Sequence, residues 1–109
     1  MQMRLLKMRS YTETHEWVEI VDGIATVGLT QDAVKEVGDI VYVELPIVGK
    51  SIKAGQEAVV VESTKAAVDI ASPVSGTIVT INDLLKTNIK LLNQAPESAG
   101  WLFQVKVEE

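Results

Sequence analysis

Apolar positions along this chain fall in short runs broken by turn residues, not in long helical stripes. Residues 17–21 and 24–29 are two such runs, separated by Asp22 and Gly23, and an Asp-Gly pair between apolar runs predicts a tight β-hairpin. Thr30 is positioned to cap a helix over 31–37, with Asp32 in its first turn and Gly38 as a left-handed stop. A further strand is predicted over 39–45, ended by Pro46, which cannot donate to a sheet ladder. Gly49 and Gly55 punctuate a looped region, and strand character resumes at Glu57. Two runs rich in β-branched residues, 58–61 and 68–71, then flank the stretch Glu62-Ser63-Thr64-Lys65-Ala66-Ala67, which predicts a hairpin with a lysine at its tip. Beyond Pro73 and Gly76 the pattern gives a strand over 77–81, a single helical turn over 83–85 capped by Asn82, a loop over 93–100 containing Pro96, and a last strand over 101–107. Glycine-bearing turns approach the lysine hairpin on both sides, at Gly55 and Gly76, an echo too weak to be read as a repeat.

Closely spaced short strands with one or two short helices predict an all-β barrel or sandwich. At 109 residues the chain fits one domain, 1–109, with 1–10 expected as a flexible or loosely packed N-terminal segment. Hydrophobic residues make up 47% of the chain but aromatic ones only 5%, so the core should be aliphatic. The net charge of −5 argues against nucleic-acid or anionic-membrane partners, which reward a basic surface. No run approaches the roughly 20 apolar residues of a membrane helix. The basic start, Met1 to Arg9, lacks a secretory apolar core; it reads as a frayed terminus or an upstream start in preference to a fragment of an organelle transit peptide.

The inventory for enzyme chemistry is thin. Without cysteine the chain has no disulfide, thiolate nucleophile or cysteine metal site, and one histidine, His15, cannot build a histidine cluster, so no metal site is expected. No serine stands in a Gly-x-Ser-x-Gly elbow, and no phosphate-binding glycine loop appears. His15 suits a solvent-facing or packing role, and Glu13, Glu16 and Glu19 read most simply as a solvated acidic face. Lys65 remains. A turn lysine is ordinarily just solvated. A Schiff-base lysine needs an apolar pocket or a neighbouring cation, whereas Glu62 and Asp69 stand nearby. An acylated lysine needs the opposite, an exposed and rigidly presented amine, and the small Ser63, Ala66 and Ala67 keep the tip narrow.

Six blocks in order carry a resemblance: Thr14-His15-Glu16-Trp17-Val18, the run 25–30, the run 38–46, Val61-Glu62-Ser63-Thr64-Lys65-Ala66-Ala67, Ser72-Pro73-Val74-Ser75-Gly76 and Gly100-Trp101-Leu102-Phe103. Together they resemble the H-protein family of the glycine cleavage system over most of 14–107. The resemblance implies a barrel-sandwich hybrid, the flattened β-barrel of biotinyl and lipoyl carriers. It implies lipoic acid, covalently bound to Lys65, with Glu62 serving recognition for lipoylation and Thr14, Glu16 and Asp69 lining a cleft for the returning arm.

A non-catalytic monomeric carrier is implied, cytoplasmic in a bacterium or in the mitochondrial matrix of a eukaryote. It would shuttle the aminomethyl group of glycine from glycine decarboxylase (P protein) to the tetrahydrofolate-dependent aminomethyltransferase (T protein). Electrons would pass to dihydrolipoyl dehydrogenase (L protein), and a lipoate-attaching enzyme would be the remaining partner. The competing readings are an H-like lipoyl carrier for lipoate relay or redox signalling, a biotin carrier, which would show methionines where Thr64 and Ala66 stand, and a catalytic-lysine enzyme. The chain departs from the family pattern at Glu36, where some members have a cleft-facing histidine, and at Asn88-Ile89, which replaces a proline-containing segment. It stops at Glu109, where members of the family usually continue into an acidic helix.

Overall fold

The computed structural model describes residues 8–108. The Asp-Gly signal gives the expected hairpin: β2 (Glu16–Val21) and β3 (Ile24–Leu29) pair antiparallel with Val21 opposite Ile24, and Asp22 and Gly23 take positive φ values of 51° and 77°. A two-residue loop with both φ positive twists in the sense of the strands it joins. Next comes helix α1 (Gln31–Val37); the Thr30 hydroxyl accepts from the Ala33 amide at 3.1 Å, and the helix buries Ala33, Val34 and Val37. Gly38 ends it at φ 91°, a conformation that disfavours any side chain.

β4 (Ile40–Glu44) follows, then a two-residue strand β5 (Ser51–Ile52), then the lysine hairpin of β6 (Glu57–Ser63) and β7 (Ala67–Ala71). β8 (Gly76–Ile81) and β9 (Phe103–Val107) complete the strands, separated by the single helical turns α2 (Leu84–Thr87) and α3 (Leu91–Gln94). A first strand, β1 (Met8–Tyr11), pairs with β2.

The strands form two antiparallel sheets, one ordered β1-β2-β3-β9-β8-β5 and the other β4-β6-β7. Their apolar faces enclose the core: Ala25, Val27, Ile78, Phe103 and Val105 from the larger sheet, Ile40, Val59, Val61 and Ile70 from the smaller. The flattened two-layer β architecture is the one expected, and its core is aliphatic apart from Trp17 and Phe103. Each of the larger aliphatic side chains or Phe103 withdrawn from water stabilises the fold by about 1.5–3 kcal/mol.

Four expectations need correcting. The loose segment 1–10 lies largely outside the described residues, but its end, 8–10, is strand: β1 gains a ladder to β2, and the Arg9 guanidinium lies 4.0 Å from the Trp17 ring centroid. Helical segments number three among the described residues instead of one or two, because α3 is held by burial of Leu92 and carries no periodic signature of its own. The looped region after Gly49 contains β5, which Thr77 and Gly76 of β8 recruit. Asn82 does not cap α2; its amide group donates to the Ala99 and Trp101 carbonyls at 2.9 and 2.8 Å and so anchors the loop before β9. Among the described residues no helix is long and apolar enough to cross a membrane.

Candidate functional site: the lysine tip and its cleft

Glu62 pairs with Ala67, and the Ser63 amide donates to the Ala66 carbonyl at 2.8 Å, leaving Thr64 and Lys65 as the two loop residues of the β6–β7 hairpin. Neither has a positive φ, unlike the residues of the usual two-residue hairpin loops. Local bonds hold this turn instead. The Ser63 hydroxyl oxygen accepts from the Lys65 and Ala66 amides at 3.2 and 3.0 Å, and the Thr64 amide donates to the Asp39 carbonyl at 3.1 Å. Lys65 is exposed and has no ion-pair partner among the described residues. Its stem lies along Gly38: a Cβ there would stand 3.1 Å from Lys65 Cε and 3.8 Å from Nζ. Gly38 was read from the sequence as a helix stop; its second role, a bare surface beneath the lysine, leaves no sequence signal.

Beside the tip lies a cleft of about 270 Å³ lined by Thr14, His15, Leu29, Ala33, Glu36, Val37, Ala66, Val68 and Ile70. One wall is α1, another is β7, and the 12–16 turn closes an end. That turn places exposed His15 at φ 68°, in the left-handed region, with its amide donating to the Thr12 carbonyl at 3.2 Å and its carbonyl accepting from the Thr30 amide at 3.0 Å. Glu36 lines the cleft, so a carboxylate stands at the wall.

The structure brings Thr14 and Glu16 together and leaves Asp69 apart from them. Glu16 is not part of a solvated face: it is 3% exposed, and its Oε1 accepts from the Thr14 and Thr12 hydroxyls at 2.8 and 2.9 Å. Thr12 also receives the Glu16 amide, at 3.0 Å, so side chain and backbone form one closed unit. The pattern Thr-x-Thr-x-Glu was the available signal for it. Thr14 lines the cleft, whereas Glu16 lies behind it and is not a lining residue. Glu19, by contrast, is half-buried and pairs with Arg9 at 3.5 Å. On β7, alternation turns Val68 and Ile70 toward the cleft, and exposed Asp69 between them takes the opposite face, across from Val60. Glu62 is exposed on that same outer face, opposite Tyr42 and Ala67.

The site's supports reach far along the chain. The Asn93 side-chain amide bonds both the Gly38 carbonyl, at 3.0 Å, and the Ile40 amide, at 2.9 Å. Glu97 accepts from the Gln31 amide at 2.8 Å, satisfying a free N–H at the start of α1. Sequence reading placed Asn93 and Glu97 in a featureless loop, since nothing local marks either contact.

An exposed amine on a braced turn beside a cleft with apolar walls suits a covalently tethered, partly apolar group. Comparison with known proteins gives the family. Residues 9–109 match the family model described as glycine cleavage H-protein. A glycine cleavage system H protein of Thermotoga maritima is 48% identical over 104 residues, 95% of this chain and 84% of that protein. One from Alcanivorax borkumensis is 52% identical over 99 residues, 91% of this chain and 77% of that protein. The crystal structure of a glycine cleavage system H protein from Mycobacterium marinum superposes with a TM-score of 0.87 at 39% identity, covering 96% of this chain and 90% of that one. With residues 9–109 matched by the family model and nearly the whole chain covered by these relatives, the chain belongs to the glycine cleavage H-protein family.

Proposed function

We propose that this chain is the lipoyl-bearing carrier of glycine cleavage, one monomeric domain loaded at Lys65. In that role it takes the aminomethyl group of glycine from the decarboxylase to the tetrahydrofolate-dependent aminomethyltransferase and delivers electrons to dihydrolipoyl dehydrogenase. The observation that carries the reading is the exposed Lys65 amine on a hydrogen-bonded tip that adjoins the cleft at Ala66. When bound, lipoic acid supplies a dithiolane that accepts a one-carbon unit and cycles between disulfide and dithiol.

The chain's own residues bind, present and shelter. Ser63 and the Asp39 carbonyl fix the turn, so the lysine is offered to a lipoate-attaching enzyme in a narrow set of orientations. Glu62, exposed on the outer face beside the tip, supplies charge for that enzyme to read. Leu29, Ala33, Val37, Val68 and Ile70 give the cleft apolar walls that exclude water. A cationic amine arriving at the Thr14 end meets a hydroxyl whose proton already points to the Glu16 carboxylate, so charge can be compensated without a solvated acid. Asp69 would meet such a group only from outside the cleft, which favours a role in partner recognition for that residue. The site of action is the cytoplasm of a bacterium or the mitochondrial matrix of a eukaryote, and the chain performs no bond chemistry itself.

The deciding experiment is the intact mass and peptide map of protein incubated with lipoate and a lipoate-attaching enzyme, with Lys65→Arg as control, followed by assay of lipoate-dependent glycine–bicarbonate exchange with the decarboxylase. Arginine keeps the charge and removes the acylatable amine. Acylation confined to Lys65 and exchange that depends on it are expected. An unacylated wild type would overturn the carrier reading, and an acylated protein that supports no exchange would leave it a lipoyl carrier outside glycine cleavage.

A further inference from the structure

We propose that Asn93 is a positioning residue for Lys65: through the segment 38–40 its side-chain amide sets how the lysine is presented to the enzyme that acylates it. This rests on the carrier reading above and adds to it a residue 28 positions downstream of the lysine.

The Asn93 side chain substitutes for a strand. Its Nδ2 donates to the Gly38 carbonyl at 3.0 Å and its Oδ1 accepts from the Ile40 amide at 2.9 Å. The carbonyl of one residue and the amide of the residue two further on are the groups an extended chain exposes together on one edge. The other edge of the same segment faces the lysine tip, where the Asp39 carbonyl accepts from the Thr64 amide at 3.1 Å and Ile40 pairs with Ser63. Residues 38–40 are thus held from both edges, by the turn that carries the lysine and by one side chain of α3.

The contact with the lysine itself is direct. Its stem lies over the bare Gly38 Cα, with Cε 3.1 Å and Cδ 3.8 Å from where a Cβ would be. A lysine free in solvent samples many rotamers, and a flat, fixed surface under its stem removes some of them. Gly38 is held in a left-handed conformation, φ 91°, which glycine alone leaves unconstrained, so its carbonyl direction depends on its hydrogen-bond partner. Asn93 is that partner. Without it Gly38 regains freedom, the surface under the stem moves, and the productive orientation of the amine is populated less.

The test is steady-state acylation by a lipoate-attaching enzyme with the full chain as variable substrate, joined to amide hydrogen exchange. For Asn93→Ala the expected result is a kcat lowered about tenfold, in line with the sensitivity of group transfer to small misplacements, with KM within about twofold because the outer recognition face is untouched. Exchange at Thr64 and Ile40 should accelerate while amides of the β2–β3 pair keep their protection. Asn93→Asp keeps the acceptor for Ile40 but sets a carboxylate against the Gly38 carbonyl, and should be as slow as the alanine variant despite its matching shape. Wild-type kcat in both variants, or exchange that accelerates uniformly across the sheets, overturns the proposal. If Asn93→Ala loses its cooperative unfolding transition, Asn93→Ser is scored in its place by the same criteria. A wild type that is never acylated sinks the carrier reading instead, and the exchange comparison still decides whether Asn93 holds the tip.

Discussion

Trp17 and Gly28 face each other across β2 and β3, and a Cβ on Gly28 would stand 2.5 Å from Trp17 Nε1. The indole covers the space a side chain would need, and its N–H donates to the Pro96 carbonyl at 2.9 Å. Gly28→Ala therefore overpacks this junction, and a loss of about 2–3 kcal/mol is expected as a lower urea midpoint with unchanged slope. Glu16→Gln keeps an acceptor for the Thr12 and Thr14 hydroxyls but removes the charge behind the cleft wall. Under the carrier reading, a loaded carrier with this change should lose its amine about fivefold faster, since a carboxylate charge set one hydroxyl behind the amine is worth about 1 kcal/mol. Ammonia release in the absence of the aminomethyltransferase measures it. At this scale the place of Lys65 at a hairpin tip was legible because small residues and two β-branched runs frame it. The burial of Glu16 was not, because three glutamates at intervals of three look alike in sequence. Their environments differ through hydroxyls at 12 and 14 and a guanidinium at 9.

Elements were legible where turn chemistry announced them and illegible where a distant partner creates them. The Asp-Gly hairpin and the Thr30-capped helix follow from local rules, and both stand as expected. β1, β5 and α3 have no such rule: each is four residues or fewer and persists because another element supplies its hydrogen bonds or buries its side chain. β1 gives a direct test. Arg9 stacks on Trp17, pairs with Glu19 and donates to the Glu97 carbonyl at 2.7 Å, so Arg9→Ala should cost about 1–2 kcal/mol and raise exchange at the β1–β2 ladder first. The lysine hairpin offers another. Ser63→Ala removes an acceptor shared by two amides in a turn whose backbone is otherwise atypical, and about 1 kcal/mol of stability should go with it. Under the carrier reading, a slower acylation of Lys65, read by mass, is expected alongside.

For the molecule as a whole, presentation of the lysine and stability of the fold are separable. Lys65 is exposed and ion-pairs with nothing among the described residues, so Lys65→Arg should leave the unfolding free energy within about 0.5 kcal/mol of wild type and, under the carrier reading, abolish acylation. The two-layer architecture was readable from strand spacing, whereas the pairing order β3-β9-β8 was not, because it joins strands from opposite ends of the chain. The same long reach bears on order in time. The hairpin lies mid-sequence, yet its brace comes from Asn93 and the start of its cleft wall is completed by Glu97, 66 residues beyond Gln31. A chain emerging from the ribosome therefore holds its lysine long before it holds the means to present it. Under the carrier reading, attachment of the cofactor would follow completion of the fold, and a partly made or misfolded chain would make a poor substrate, so that loading would mark a finished protein.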